Sequence, residues 1–182
     1  MNVDSLRIET ERLILRPPRA EDFDAYAAKM ADAEATRFVG GPQARAVAWR
    51  AFLGKAGAWM IQGFSMFSVI EKASGQWIGQ LGPWHPEGWP GTEVGWGLAR
   101  AAWGKGYAWE GSVAAIDWAF DQLDWKEVIH SIAPDNIASQ ALARRLGATC
   151  RGPGKLPAPH EDAPVEIWAQ TREQWRRRHA PP

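Results

Sequence analysis

Residues 103–111 read WGKGYAWEG, and their types and spacing suit chemistry. Gly104 and Gly106 flank Lys105, with Trp103 before them and Tyr107 and Ala108 after. Glycine has no Cβ, so the main chain can approach a ligand closely and take φ > 0. A helix starting at this point adds unpaired N–H groups and a partial positive charge. Together these features suit an anion, above all a phosphate. Two familiar phosphate loops are excluded. A Walker A loop needs Gly where this chain has Ala99 and Ser or Thr where it has Gly106. A dinucleotide fingerprint needs Gly where Trp109 stands or, counted from Gly95 and Gly97, where Arg100 stands. A second cluster of functional groups is WHPEGWPG at 84–91. It sets His85 and Glu87 between Trp84 and Trp89 in a turn-rich loop, where a core role for the tryptophans is less natural.

The elements that must position these groups follow from periodicity. IETERLILR at 8–16 alternates as a first strand and ends at Pro17 and Pro18. RAEDFDAYAAKMAD puts Phe23, Tyr26, Ala27 and Met30 on one helix face, with Glu21, Asp22 and Asp24 in its first turns. After GGP at 40–42, a second helix at 43–59 carries a stripe of Trp49, Phe52, Leu53 and Ala56. FSMFSVIE, QWIGQLG and TEVGWGLA read as a three-strand meander whose last strand is weakened by Gly95 and Gly97. The glycine loop at 103–106 then opens a helix over 107–122 with Trp109, Val113, Ile116 and Phe120 on one side. WKEVIHSIA is a strand and IASQALARRLG a short helix closed by Gly147. Residues 148–152 and 164–170 are further strands, and TREQWRRRHAPP is a short basic helix that frays. The order β-α-α-β-β-β-α-β-α-β-β predicts an α/β protein with one mixed sheet and helices on its faces. One domain over 8–175 is expected, with 176–182 a basic, Pro-containing tail.

Composition narrows the function classes. The chain has 182 residues, enough for one domain that buries roughly 70% of its unfolded surface without staples. Lys plus Arg and Asp plus Glu are 21 each, which argues against a nucleic-acid or polyanion binder and leaves room for a local anion site. The single cysteine, Cys150, excludes a disulfide framework and a thiolate metal cluster, and reads as a small buried hydrophobe. The N-terminus carries early acids and lacks a signal-peptide core, and no apolar run reaches the ~18–20 residues that span a bilayer. The expected setting is the cytoplasm, with no membrane partner and no metal.

TEVGWGLARAAWGKGYAWEG, followed by IHSIAPDNIASQALARRLGA, resembles the GNAT superfamily of acetyl-CoA-dependent N-acetyltransferases. With ETERLILRPPRAEDFDAY at the N-terminus, the pattern is similar to the RimJ/RimL-type ribosomal-protein acetyltransferase branch, over residues 8 to 175. The resemblance implies a GNAT-type acyl-CoA N-acyltransferase fold. It implies that the loop Trp103, Gly104, Lys105, Gly106, Tyr107 and Ala108 holds the CoA pyrophosphate through backbone N–H groups. It implies that the strand at 95–98, with Gly97 and Leu98, splays from its neighbour at 127–132 and pairs through its exposed main chain with the pantetheine arm. Asn136 matches the family's cofactor-contacting asparagine, and Ser139 a serine near the thioester sulfur. Two positions depart from the pattern. Ala101 stands where many members have Arg or Gln, and Ala148 where many have an aromatic. The chain has no Tyr after Tyr107, so a tyrosine acid from that region is excluded.

An amine must lose a proton to attack a thioester, so such an enzyme is served by a base. Glu93, on the strand leading to the cofactor, is the first candidate; Glu87 and His85 are alternatives. A backbone N–H near Leu98 would stabilise an oxyanion. Ser139 would hydrogen-bond the departing sulfur, and its other reading is an ordinary helix-start residue. Arg144 or Arg145, with Arg145 the first candidate, would meet the CoA 3′-phosphate. Trp84, His85, Glu87 and Trp89 would line the acceptor pocket. The implied partners are acetyl-CoA and an amine acceptor, a protein N-terminus or a small molecule, with a homodimer left open. A non-catalytic acyl-CoA sensor on the same fold is the alternative function.

Overall fold

A computed structural model describes residues 5–179. Eight strands form one sheet in the order β1-β2-β3-β4-β5-β6-β8-β7. They are β1 (Ile8–Glu9), β2 (Leu13–Arg16), β3 (Phe67–Glu71), β4 (Trp77–Trp84), β5 (Glu93–Leu98), β6 (Glu127–Ile132), β7 (Thr149–Gly154) and β8 (Val165–Thr171). Neighbours run antiparallel except β5 and β6, which are parallel. The helices are α1 (Phe23–Ala31), α2 (Ala33–Thr36), α3 (Arg45–Ile61), α4 (Tyr107–Gln122), α5 (Ile137–Leu146) and α6 (Arg172–His179). The expected mixed sheet and element order are present, with local differences. No helix among the described residues is long and apolar enough to cross a membrane.

Each difference has a physical cause. The strand expected at 8–16 is a hairpin, because the Thr10 hydroxyl and the Arg12 amide both donate to Glu110 of α4, turning the chain at the polar Glu11. Asp32 starts the additional helix α2 by accepting from the amides of Glu34 and Ala35. In α3 the buried residues are Ala48, Phe52 and Trp59, while Trp49 and Leu53 are 41% and 47% exposed. The helix is apolar nearly all round, so its neighbours rather than its periodicity select the buried line. The C-terminal helix is anchored instead of fraying. Trp175 is buried, and its indole donates to Asp117 of α4 at 2.6 Å. The last part of the expected tail, 180–182, lies outside the described residues. Cys150 is exposed, because it sits on β7, at the edge of the sheet.

The main core lies between the sheet and α4, where Leu13, Leu15, Phe67, Val69, Leu81 and Val94 meet Ala115, Ile116 and Ala119. Gly111 lets α4 close on the sheet, since a Cβ there would lie 2.6 Å from Leu81. On the opposite face, α1 and α3 pack through Tyr26, Ala27, Met30, Ala48 and Phe52. That face also buries an ion pair. Arg16 donates to both oxygens of Asp22 at 2.8 and 2.7 Å, and the Ser68 hydroxyl donates to Asp22 at 2.7 Å. Multiple hydrogen bonds offset the desolvation of such a pair.

Candidate active site

The gap between β5 and β6 is the first component. Glu93 pairs with Ile129, and the Ile129 amide donates to the Thr92 carbonyl at 2.9 Å; beyond Val94 the ladder stops among the described residues. Antiparallel pairs alternate between bonded and non-bonded. The bond from the Ala99 amide to the Ile78 carbonyl fixes that alternation against β4. Val94, Trp96 and Leu98 therefore turn their backbone groups toward β6. The Val94 carbonyl meets His130 Nδ1 at 2.7 Å, and the Leu98 carbonyl accepts from the Trp103 indole at 2.9 Å. The Trp96 amide and carbonyl and the Leu98 amide face the gap, a strand edge ready for a linear ligand.

The second component is the loop before α4. Gly104 and Gly106 take φ +72° and +81°, the left-handed region that disfavours other residues. Nothing lies within 4 Å of where a Gly104 Cβ would stand, so the loop is open to an approaching group. The first intrahelical bond runs from the Glu110 amide to the Gly106 carbonyl, leaving the amides of Tyr107, Ala108 and Trp109 without an intrahelical acceptor. Arg12 braces the loop. It donates to Glu110 at 2.7 Å and to the Lys105 carbonyl at 2.9 Å, and lies 4.6 Å over the Tyr107 ring. The Tyr107 hydroxyl donates to Glu71 at 2.6 Å, which holds the side chain against the end of β3. These features fit a diphosphate joined to an extended arm.

The third component lies on the α1 and α3 side of β5. Glu93 is 7% exposed, and the Trp89 indole donates to it at 2.6 Å. Burial raises its carboxyl to about 7, against the lowering effect of Trp89 and Ser131. Trp84 stands opposite Glu93 across the β4–β5 ladder and makes an edge contact with Trp89 at 6.2 Å. His85 and Glu87 are exposed on the same loop, and the structure does not bring them to Glu93. A cleft of about 360 Å³ opens past the end of β6, lined by Arg37, Phe38, Ser131, Asp135 and Leu156 among others. The segment bearing Leu156 and Pro157 reaches the 84–91 loop, where Pro157 would lie 3.4 Å from a Cβ on Gly88.

The fourth component is the start of α5. Asn136 caps it, its side-chain oxygen accepting from the Ser139 amide at 3.1 Å. The Ser139 hydroxyl accepts from the Trp96 indole at 3.1 Å, which ties α5 to β5 across the gap and leaves the hydroxyl proton free to donate. Arg145 lies 4.7 Å over the Trp109 ring, within the first turn of α4. Sequence reasoning missed Trp96, Arg12 and His130. Trp96 alternates with the two glycines that marked the strand, so its position was the available signal. His130 is buried against Trp96, its ring pushed down to about 4 by burial.

Residues 12–149 match the family model described as an acetyltransferase (GNAT) domain. A comparison with curated proteins gives no match. Among solved structures, the acetyltransferase from Agrobacterium tumefaciens str. C58 is 33% identical, with a TM-score of 0.81 over 92% of this chain and 95% of that one. A GNAT-family acetyltransferase from Bacillus anthracis is 22% identical, with a TM-score of 0.77 over 92% and 99% of the two chains. The RimL ribosomal L7/L12 alpha-N-protein acetyltransferase, in complex with coenzyme A, is 18% identical, with a TM-score of 0.75 over 91% and 98%. The splayed strands, the glycine loop on a helix start and these matches agree: the chain belongs to the GNAT acetyltransferase family.

Proposed function

We propose that the protein is an N-acetyltransferase of the RimJ/RimL-like branch that transfers acetyl from acetyl-CoA directly to a primary amine. The observation that carries this reading is Glu93, a buried carboxyl titrating at about 7 on the strand whose free edge adjoins the anion loop. Gly104 to Ala108 would hold the pyrophosphate, with Arg145 at its rim. Trp96 and Leu98 would pair with the pantetheine arm, beside Gly97. Asn136 would keep α5 positioned. When bound, acetyl-CoA supplies the acetyl group: the amine nitrogen bonds its carbonyl carbon while the carbon–sulfur bond breaks and the sulfur leaves with the electron pair.

Glu93 would take the proton that the amine must shed, directly or through one water, and the Trp89 indole holds it in place. A carboxyl near 7 is matched to that task, because it is part-ionised at neutral pH and basic enough to accept. The Leu98 amide is a donor for charge developing on the acetyl oxygen. Ser139 would donate to the leaving sulfur, its oxygen already fixed by Trp96. The exposed His85 and Glu87 would lie at the acceptor entrance. The test is incubation with acetyl-CoA and a panel of peptide N-termini and small primary amines. Free thiol and acetylated amine are expected; acetyl-CoA binding with no turnover on any amine overturns the reading.

A further inference from the structure

Two lysines face the acceptor side of the sheet without a carboxylate partner. Lys29 on α1 is 5% exposed, and its ammonium makes one hydrogen bond, 3.7 Å to the Met30 sulfur, a weak acceptor. Lys55 on α3 is half-buried; it donates to the Tyr26 hydroxyl at 3.2 Å and lies 5.6 Å over the Trp84 ring. Among the described residues, neither ammonium lies within 4.0 Å of a carboxylate. Asp32, whose charge reaches Lys29, is already engaged in capping α2 and facing Arg100 at 3.6 Å. A buried charge is costly unless it is paired. Burial lowers both lysines, and the charge of Lys29 lowers Lys55 further, to about 8.

These cations lie on the same side of β5 as Glu93. Glu93, Gly95 and Gly97 alternate onto one face of β5. A Cβ on Gly95 would lie 3.3 Å from the Glu93 carboxylate, and a Cβ on Gly97 would lie 3.3 Å from the Lys29 ammonium. Two residues of strand span about 7 Å, the scale of one small molecule. Gly97 carries no side chain beneath the Lys29 ammonium, and the Met66 methyl, 2.8 Å from where a Gly95 Cβ would stand, bounds the space beside Glu93. Lys55 joins the same wall through Trp84, which contacts Trp89, the residue holding Glu93.

We propose that Lys29 and Lys55 form an anion subsite in the acceptor pocket, so that the amine acetylated by this protein carries a carboxylate or phosphate group. The proposal rests on the acetyl-transfer reading. It sets the base at one end of the acceptor and a charge clamp at the other. An incoming anion supplies the counter-charge that the fold withholds. Polycationic acceptors are repelled by the same pair.

The test compares matched primary amines that are neutral, carboxylate-bearing, phosphate-bearing or polycationic, assayed by thiol release with the purified full chain. At least a tenfold preference in kcat/KM for one anionic class is expected, carried by KM. It should fall to near unity in Lys29→Met and Lys55→Met. A preference unchanged in both variants, or a preference for neutral or polycationic amines, overturns the subsite. Melting temperature checks folding: Lys29→Met removes an unpaired buried charge and should melt no lower than the parent, while Lys29→Arg should keep the preference. If no amine turns over, the transfer reading fails and the subsite is judged separately, by tryptophan fluorescence with inorganic phosphate and glutarate. Saturable binding lost in Lys29→Met supports it; no binding, or equal binding in that variant, overturns it.

Discussion

At the residue scale, the proposed chemistry turns on Glu93. Its carboxyl rises to about 7 because burial disfavours the charged form more than Trp89 and Ser131 favour it. With the ionised form as the proposed base, kcat/KM should climb with pH through about 7. Glu93→Gln should lower kcat/KM by about 10²–10⁴ and flatten that limb; a variant retaining both rate and limb assigns the proton transfer elsewhere. The same shift has a signed effect on stability. Between the ordinary 4.5 and about 7, the folded carboxyl keeps a proton that the unfolded chain has lost. Stability contributed by Glu93 therefore falls as pH rises across that window, and denaturation midpoints of Glu93→Gln should lack this fall.

At the element scale, the loop before α4 depends on backbone conformation rather than on its lysine. Gly104→Val has room for its side chain and suffers only from its positive φ, a cost of about 1–2 kcal/mol. Gly106→Val adds a side chain whose Cβ would lie 3.4 Å from the Arg12 guanidinium. Both variants should fold with melting temperatures lower by a few degrees and lose CoA binding by calorimetry. Unchanged CoA affinity in either would remove the loop from the site. WGKGYAWEG showed the glycines in the sequence; the Arg12 brace was invisible, because it comes from 93 residues away.

At the scale of the whole molecule, α6 belongs to the core. Trp175 packs against Phe120 and bonds Asp117, tying α6 to the helix that carries the glycine loop. Trp175→Ala should cost about 3–5 kcal/mol, read as a shift in the denaturant midpoint at constant slope. A shift below 1 kcal/mol would mean that the helix contributes little. The basic composition of TREQWRRRHAPP made this helix read as a fraying tail, since one tryptophan among charges carries no period.

The sequence by itself determined the element order apart from the β1–β2 hairpin and α2, the glycine loop on a helix start and Glu93 on the strand leading to it. Each of these is encoded locally, in hydrophobic period or in residues of special conformation. It left α3's buried face unreadable, because an apolar helix has no preferred side until α1 and the sheet select one. Only the tertiary structure decided which titratable groups share one side of β5. Glu93, Lys29 and Lys55 lie on three different elements, and nothing in their spacing along the chain announces a meeting. Burial made one carboxyl basic and left two ammonium groups unpaired, and burial is a property of the packed molecule rather than of any segment.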